Sequence, residues 1–284
     1  MDRVNLFVVG VNKAGTSWLY YLLSAHPDVF MSDVKELYFF GAEQDGPASL
    51  DAYHRHFPFD EAYRYFGEAT VMYYREPAVA AEIEAYNPDA KLLAIVRDPI
   101  ERLRSQYEYH KQLGLLDEET ALAEALDGRD PMLLRDSHYE ETLPEFADRF
   151  GPGQFKVVSL EAGRDDPEAL WTDLLSFLDL PAAPCPPPAD EPENPTGSPA
   201  FRRVYRATVQ PVKEHLPGLY EWMLGNAGVR RAKLALLSLL GTAEKAPVPP
   251  ALRSRLEDEF APTYAYLHDL GFDHYSPEPA EKAR

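Results

Sequence analysis

Phe7-Val8-Val9-Gly10-Val11-Asn12-Lys13-Ala14-Gly15-Thr16-Ser17-Trp18 is an apolar run that breaks at glycine and resumes with helical spacing. Residues 4–11 predict a short buried strand ending at Gly10. Apolar positions at Trp18, Leu19, Leu22 and Leu23 predict a helix over 14–25, closed by His26-Pro27. A strand, a glycine-flanked turn and a helix start make an anion cradle. Backbone N–H groups and the positive helix end converge on one point, and Lys13 adds a full charge. A nucleotide-triphosphate P-loop places lysine after the second glycine, where it straddles the β- and γ-phosphates. Here that position is Thr16 and the lysine sits inside the loop. The expected ligand is phosphate-like, but not ATP with magnesium. On the plainer reading, Thr16 only caps the helix and Lys13 is solvated.

A second strand-to-helix junction lies at Ile95-Val96-Arg97-Asp98-Pro99-Ile100-Glu101-Arg102-Leu103-Arg104-Ser105. Lys91 to Val96 reads as a buried strand, with a polar helix over about 100–113. Arg97 falls at the strand tip, and Ser105 lies about two helical turns beyond it. An arginine and a hydroxyl so placed can share a second phosphate. A local Arg97–Asp98 ion pair with a surface serine is the alternative. For the first junction, a donor with one bridging oxygen between two acidic groups needs one cation at the bridge and no metal. Lys13 fits that part, and a phosphosulfate fits that description.

Residues 154–160 predict a third strand, and helical patterns lie at about 77–86, 118–127, 131–150 and 167–179. Alternation of strands and helices predicts an α/β, P-loop-like three-layer fold: a central parallel sheet flanked by helices, plus a helical C-terminal appendage. Ligands of such sheets bind at the C-terminal strand ends, where Lys13 and Arg97 fall.

The chain has 284 residues, 45% of them hydrophobic, ample for a core. Its net charge of −19 argues against general nucleic-acid binding. The single cysteine, Cys185, has no internal disulfide partner. No apolar run reaches membrane-spanning length and no secretory leader pattern opens the sequence, so the expected location is cytoplasmic. Residues 181–199 hold eight prolines and read as a linker. Residues 200–245 carry a local charge of +5, and Val229–Leu240 is basic at its start and apolar after, like a surface-seeking helix. Residues 250–271 read as a closing helix. The expected organisation is a core over 1–180, the linker at 181–199, and a helical part over 200–284 packing on the core. Peripheral membrane contact through 200–245 is the accompanying expectation. His54 and His56 lack partners at metal-ligand spacing, so no metal is expected.

Together the two junctions resemble those of the sulfotransferases that use 3′-phosphoadenosine-5′-phosphosulfate (PAPS), across roughly residues 5–180. The resemblance implies PAPS as co-substrate. Lys13, Ala14, Gly15, Thr16, Ser17 and Trp18 match the donor-binding segment, and Arg97 and Ser105 the pair that holds the 3′-phosphate. His26-Pro27 followed by Lys35-Glu36-Leu37-Tyr38-Phe39-Phe40 is similar to the branch containing heparan-type carbohydrate sulfotransferases and their bacterial relatives. That likeness implies Glu36 as general base and a glycan or glycolipid acceptor. Lys35 is placed to neutralise a sulfuryl oxygen. His110 is the alternative base. Gly67-Glu68-Ala69-Thr70 resembles a family Gly-Glu-x-Thr-Pro stretch, with Val71 in place of the proline, and is expected to form a substrate-side loop. Ser137 and Tyr139 fall near a family Ser-x-Tyr pattern, and Tyr139 is carried as a donor-site residue. Tyr38, Phe39, Phe40, Tyr53, Tyr73 and Tyr74 either line an acceptor cleft or belong to the core. Two other classes stay open on the residues alone: a P-loop nucleotide kinase or NTPase with an altered loop, and a membrane-surface adaptor.

Overall fold

The computed structural model describes residues 3–41, 46–129, 132–187, 198–216, 223, 227–241 and 247–276. Five strands form one sheet: β1 (Leu6–Gly10), β2 (Val29–Met31), β3 (Tyr65–Ala69), β4 (Lys91–Val96) and β5 (Phe155–Ser159). Their order is β2-β3-β1-β4-β5, and every pairing is parallel. All five residues of β1 are buried, as is usual for a strand covered on both faces. Leu6 pairs with Gly67 on one side and Lys91 on the other. β4 runs in register with β5 from Leu92↔Phe155 to Val96↔Ser159.

Alternation along β1 sends side chains to two helical layers. Leu6 and Val8 join Leu19, Leu22 and Leu23 of α1 (Thr16–Ser24), with Trp171 and Leu174 from a later helix, in one apolar cluster. Phe7 points to the other face, edge-on to Phe40 at 5.9 Å and Tyr86 at 6.5 Å. The short helix α2 (Leu50–His54) and α3 (Pro77–Tyr86) supply that face. α4 (Pro99–Leu113), α5 (Leu143–Phe150), α6 (Leu160–Asp165) and α7 (Pro167–Phe177) complete the crossovers. The chain leaves β1 toward β2 and β3, then crosses to β4 on the other side. The order therefore reverses between β1 and β4, the position where open α/β sheets bind ligands. There Val11 N–H still donates to Ile95 O at 2.9 Å.

The chain divides into two compact units: Met1–Arg102 with Asp136–Glu191 and Glu257–Arg284, and Leu103–Arg135 with Pro192–Leu256. Within the second, α8 (Pro199–His215) opens on Ser198, whose hydroxyl accepts from Phe201 N–H and donates to Leu240 O, the last residue of α9 (Ala227–Leu240). Arg202, almost wholly buried, pairs with Glu108 at 2.7 Å and Glu118 at 3.1 Å. Parts of the proline-rich and basic stretches (188–197, 217–222, 224–226 and 242–246) lie outside the described residues.

Several local expectations change. Gly67-Glu68-Ala69 is not a loop but part of β3, paired on both sides, and β2 is a further strand that periodicity did not disclose. The helix expected over 131–150 splits into Met132–Arg135, a tight turn at Tyr139–Glu141, and α5. Pro144 at the start of α5 is compatible only with a helix beginning there. The closing helix splits into α10 (Pro250–Glu259) and α11 (Ala261–Asp269), because Pro262 cannot continue a helix from α10 but fits the first turn of a new one. Among the described residues, no helix is long and apolar enough to cross a membrane.

Candidate functional site

The turn after β1 coils tightly. Lys13 and Gly15 both adopt left-handed conformations, with φ of 68° and 101°. Gly15 is the N-cap of α1 and offers no side chain to its amides; Leu19 N–H is the one that closes the first helical turn, on Gly15 O at 3.1 Å. The first amides of α1 thus start where β1 ends, with the helix dipole behind them. A Cβ on Gly15 would stand 2.6 Å from Leu160 Cδ1, so packing as well as φ demands glycine. Ala14 is fully buried, and its N–H donates to Val11 O within the turn. Trp18 is half-buried against the apolar cluster beside Gly163.

The loop over residues 32–40 brings a second set of charges to this helix start. Lys35 Nζ lies 3.5 Å from Thr16 Oγ1 and 3.5 Å from Glu36 Oε1. The other Glu36 oxygen accepts from Tyr38 OH at 2.7 Å. The two side chains are partly exposed, at 21% and 17%. Three predicted residues, Thr16, Lys35 and Glu36, are therefore brought together although about twenty residues separate them in sequence.

Beneath this loop lies Glu68, fully buried in β3. Its Oε1 accepts from Tyr53 OH at 2.7 Å and Tyr73 OH at 3.2 Å, and its Oε2 from Thr70 OH at 2.7 Å. Burial pushes its carboxyl up to about 7, against the pull of these hydrogen bonds; the Glu36 charge adds to the rise. Tyr53, Tyr73 and Tyr74 are core residues, as is Phe40, while Tyr38 and Phe39 are half-buried.

At the tip of β4, Arg97 is largely buried. Its guanidinium has only long ion pairs, to Glu101 at 3.6 Å and Glu161 at 3.7 Å, and its buried Nε makes no hydrogen bond among the described residues. Tyr139 sits behind it, fully buried, donating to Arg97 O at 2.9 Å. Asp98 caps α4 by accepting from Glu101 N–H at 2.9 Å and is bonded by Tyr264 OH at 3.0 Å. Burial raises its pKa. Glu161 in turn accepts from Tyr275 OH, which contacts Ser159 Oγ at 2.8 Å. Residues 264–275 thus brace the strand tip, a role that composition alone does not signal. Arg102, Asp136, Arg75 and Ser137 form a buried polar cluster behind α4: Arg102 Nε donates to Ser137 Oγ at 2.6 Å, and Ser137 to Pro99 O at 2.9 Å.

Ser105 lies half-buried on α4, and His110, on the same helix, faces Gln106 Nε2 at 3.3 Å. His54 ends α2 and meets Tyr86 OH at 2.8 Å; His56 pairs with Asp33 at 3.5 Å. Among the described residues, His138, Glu140 and Glu141 place one ligand-type atom each within 4.8 Å. His138 and Glu140 are engaged with each other at 3.1 Å, and Glu140 with Thr263 at 2.7 Å.

Comparison with known proteins finds relatives of this chain. A family model described as "Sulfotransferase domain" matches residues 3–194. The chain is 33% identical over 114 residues to the "Membrane-associated sulfotransferase kil1" of Dictyostelium discoideum, covering 38% of this chain and 23% of that protein. It is 31% identical over 100 residues to "Heparan sulfate glucosamine 3-O-sulfotransferase 5" of Mus musculus, covering 35% of this chain and 29% of that one. The chain therefore spans about a quarter of the length of these curated relatives. The crystal structure of a sulfotransferase from Alicyclobacillus acidocaldarius superposes with a TM-score of 0.59 at 28% identity, over 81% of this chain and 100% of that one.

Proposed function

The chain belongs to the sulfotransferase family, and on that premise we propose that it transfers a sulfuryl group from PAPS to a hydroxyl or amine of a glycan or glycolipid. The observation that carries the reading is the meeting of Lys35 with Thr16 and Glu36 at the start of α1. It supports a reading in which an anion cradle and a carboxylate base share one place. The residues present fit the donor. Gly15 offers the α1 amides no capping side chain, and Arg97 Nε is a buried donor that a phosphate oxygen can satisfy.

In this reading Glu36 takes the acceptor proton as the new bond to sulfur forms. Tyr38 OH, bonded to the other Glu36 oxygen, holds the carboxylate in place. The bond from sulfur to the bridging oxygen breaks, and its electron pair stays on the 5′-phosphate. Lys13 and the amides of residues 15–18 neutralise that charge, and Lys35 offsets the sulfuryl oxygens. Arg97, with Ser105 by its sequence motif, holds the 3′-phosphate. Tyr139 supports the donor site through its hydrogen bond to the Arg97 backbone. No metal is required by these steps.

The heparan sulfate relative supports a glycan acceptor. The membrane-associated relative, the basic residues of 200–245 and Leu239, 80% exposed on α9, support peripheral membrane contact from the cytoplasm. The kinase alternative is not favoured, since Thr16 occupies its lysine position and the family match runs through both junctions.

Incubation with ³⁵S-labelled PAPS and a mixed glycan and lipid extract tests the reading. Label is expected on a glycan or glycolipid. Absence of any labelled product, together with failure to bind PAP, overturns it.

A further inference from the structure

Glu68 is a wholly buried carboxylate whose three hydrogen-bond donors all reach one loop. Thr70 Oγ1 accepts from Leu37 N–H at 3.0 Å and Tyr38 N–H at 3.3 Å. Tyr73 OH accepts from Phe39 N–H at 2.9 Å and Phe40 N–H at 3.2 Å. Tyr53 stacks face to face on Phe39, with centroids 4.2 Å apart and planes within 9°. Four consecutive backbone amides and one ring are thus fixed by the three hydroxyl side chains that converge on Glu68.

We propose that Glu68 is a positioning residue for the loop that carries Glu36, setting residues 36–40 through the hydroxyls of Thr70, Tyr73 and Tyr53. The inference rests on the reading of Glu36 as base, because that reading is what gives the loop's position a catalytic consequence.

A hydroxyl has one proton and a limited set of lone pairs. At Thr70 and Tyr73 two amide protons already occupy the acceptor side, so each hydroxyl proton must go elsewhere, and it goes to Glu68. The group receiving three O–H bonds has to be acceptor-only. An ionised carboxylate is; a glutamine is not, since its NH₂ faces either Thr70 or the two tyrosines whichever way the amide is turned. One hydroxyl then confronts a donor and must release its backbone amides. Protonating Glu68 has the same effect. The charged and titratable groups acting on it are Tyr53 from α2, Tyr86 from α3, Tyr73 after β3, and Glu36 from the loop itself.

Backbone hydrogen exchange on the full chain tests this without an acceptor. In Glu68→Gln, at pH 8, the amides of Leu37, Tyr38, Phe39 and Phe40 are expected to exchange about tenfold faster or more, while those of β1 and β4 keep their protection. Thr70→Val is expected to release residues 37 and 38 only, Tyr73→Phe residues 39 and 40 only, and Thr70→Ser to restore protection. These variants also serve if Glu68→Gln does not fold. PAP affinity is expected to stay within about twofold of wild type.

With PAPS and a heparosan oligosaccharide as probe acceptor, Glu68→Gln is expected to lower kcat and leave the donor KM unchanged. In a Glu36→Gln background it is expected to cost nothing further. Unchanged exchange at the four amides, or an equal kcat loss in both backgrounds, overturns the inference. Full turnover in Glu36→Gln alone instead overturns the reading of Glu36 and leaves the exchange result standing.

Discussion

Lys35 Nζ stands 3.5 Å from Thr16 Oγ1, so a cation on one loop reaches the hydroxyl that opens α1. The same nitrogen stands 3.5 Å from Glu36 Oε1. In the proposed reading, a group shared by cradle and base serves both. Lys35→Ala is expected to lower kcat by about 10–10²-fold, the size of one lost hydrogen bond to a charged group. Steady-state kinetics with PAPS checks it; unchanged kcat makes Lys35 a solvated neighbour of Glu36.

Lys13 and Glu36 are expected to fail differently. In the proposed reading Lys13→Ala removes the cation at the leaving oxygen and is expected to abolish turnover. Glu36→Gln keeps the shape of the loop and lowers kcat by about 10²–10⁴-fold, with PAP binding preserved. Calorimetric titration with PAP beside the kinetics separates the two roles. Unchanged kcat in Glu36→Gln rejects it as base.

Arg97→Ala is expected to raise the donor KM by about 10–10²-fold, because in the proposed reading the arginine meets a phosphate through charged hydrogen bonds. Tyr139→Phe removes only the 2.9 Å bond to the Arg97 carbonyl and is expected to have a smaller effect on the same constant. An effect of Tyr139→Phe larger than that of Arg97→Ala contradicts the order assigned to them.

Glu68 leaves a signature in stability. Its carboxyl is raised from 4.5 to about 7, so between those values the folded chain binds a proton that the unfolded chain has released. Stability from this group is present below about pH 4.5 and is lost as pH rises toward 7, by up to about 3 kcal/mol. Denaturant midpoints of wild type and Glu68→Gln are expected to change relative to each other across that interval, wild type losing ground as pH rises. A constant difference from pH 4.5 to 8 shows that Glu68 has no raised pKa.

The sheet was legible where its strands are mostly apolar. β1, β4 and β5 are Leu/Val/Ile/Phe-rich runs, and the two glycines of the first turn mark the change of period. β3 was not legible, because Tyr65-Phe66-Gly67-Glu68-Ala69 carries a glycine and an acid at positions that a linear reading assigns to a loop. Tertiary hydroxyls from Tyr53, Thr70 and Tyr73 are what allow a carboxylate there. β2, three residues long, is too short to show a period. Lys13 and Arg97 were proposed from strand tips and Lys35 and Glu36 from family pattern; the fold brings Lys35 to both Thr16 and Glu36. The bracing of the β4 tip by Tyr264 and Tyr275 was not legible, since nothing local in residues 264–275 announces a partner about 170 residues earlier in the chain.

In the proposed reading this chain holds a nucleotide charged at both ends of its ribose, with the first turn at one end and Arg97 at the other. Calorimetric titration of wild type and Arg97→Ala with PAP and with 5′-AMP tests it most directly. Wild type is expected to bind PAP at least about tenfold more tightly than 5′-AMP, and Arg97→Ala to lose that preference while keeping its affinity for 5′-AMP. Equal affinity of wild type for the two nucleotides, or a preference that survives Arg97→Ala, contradicts the account.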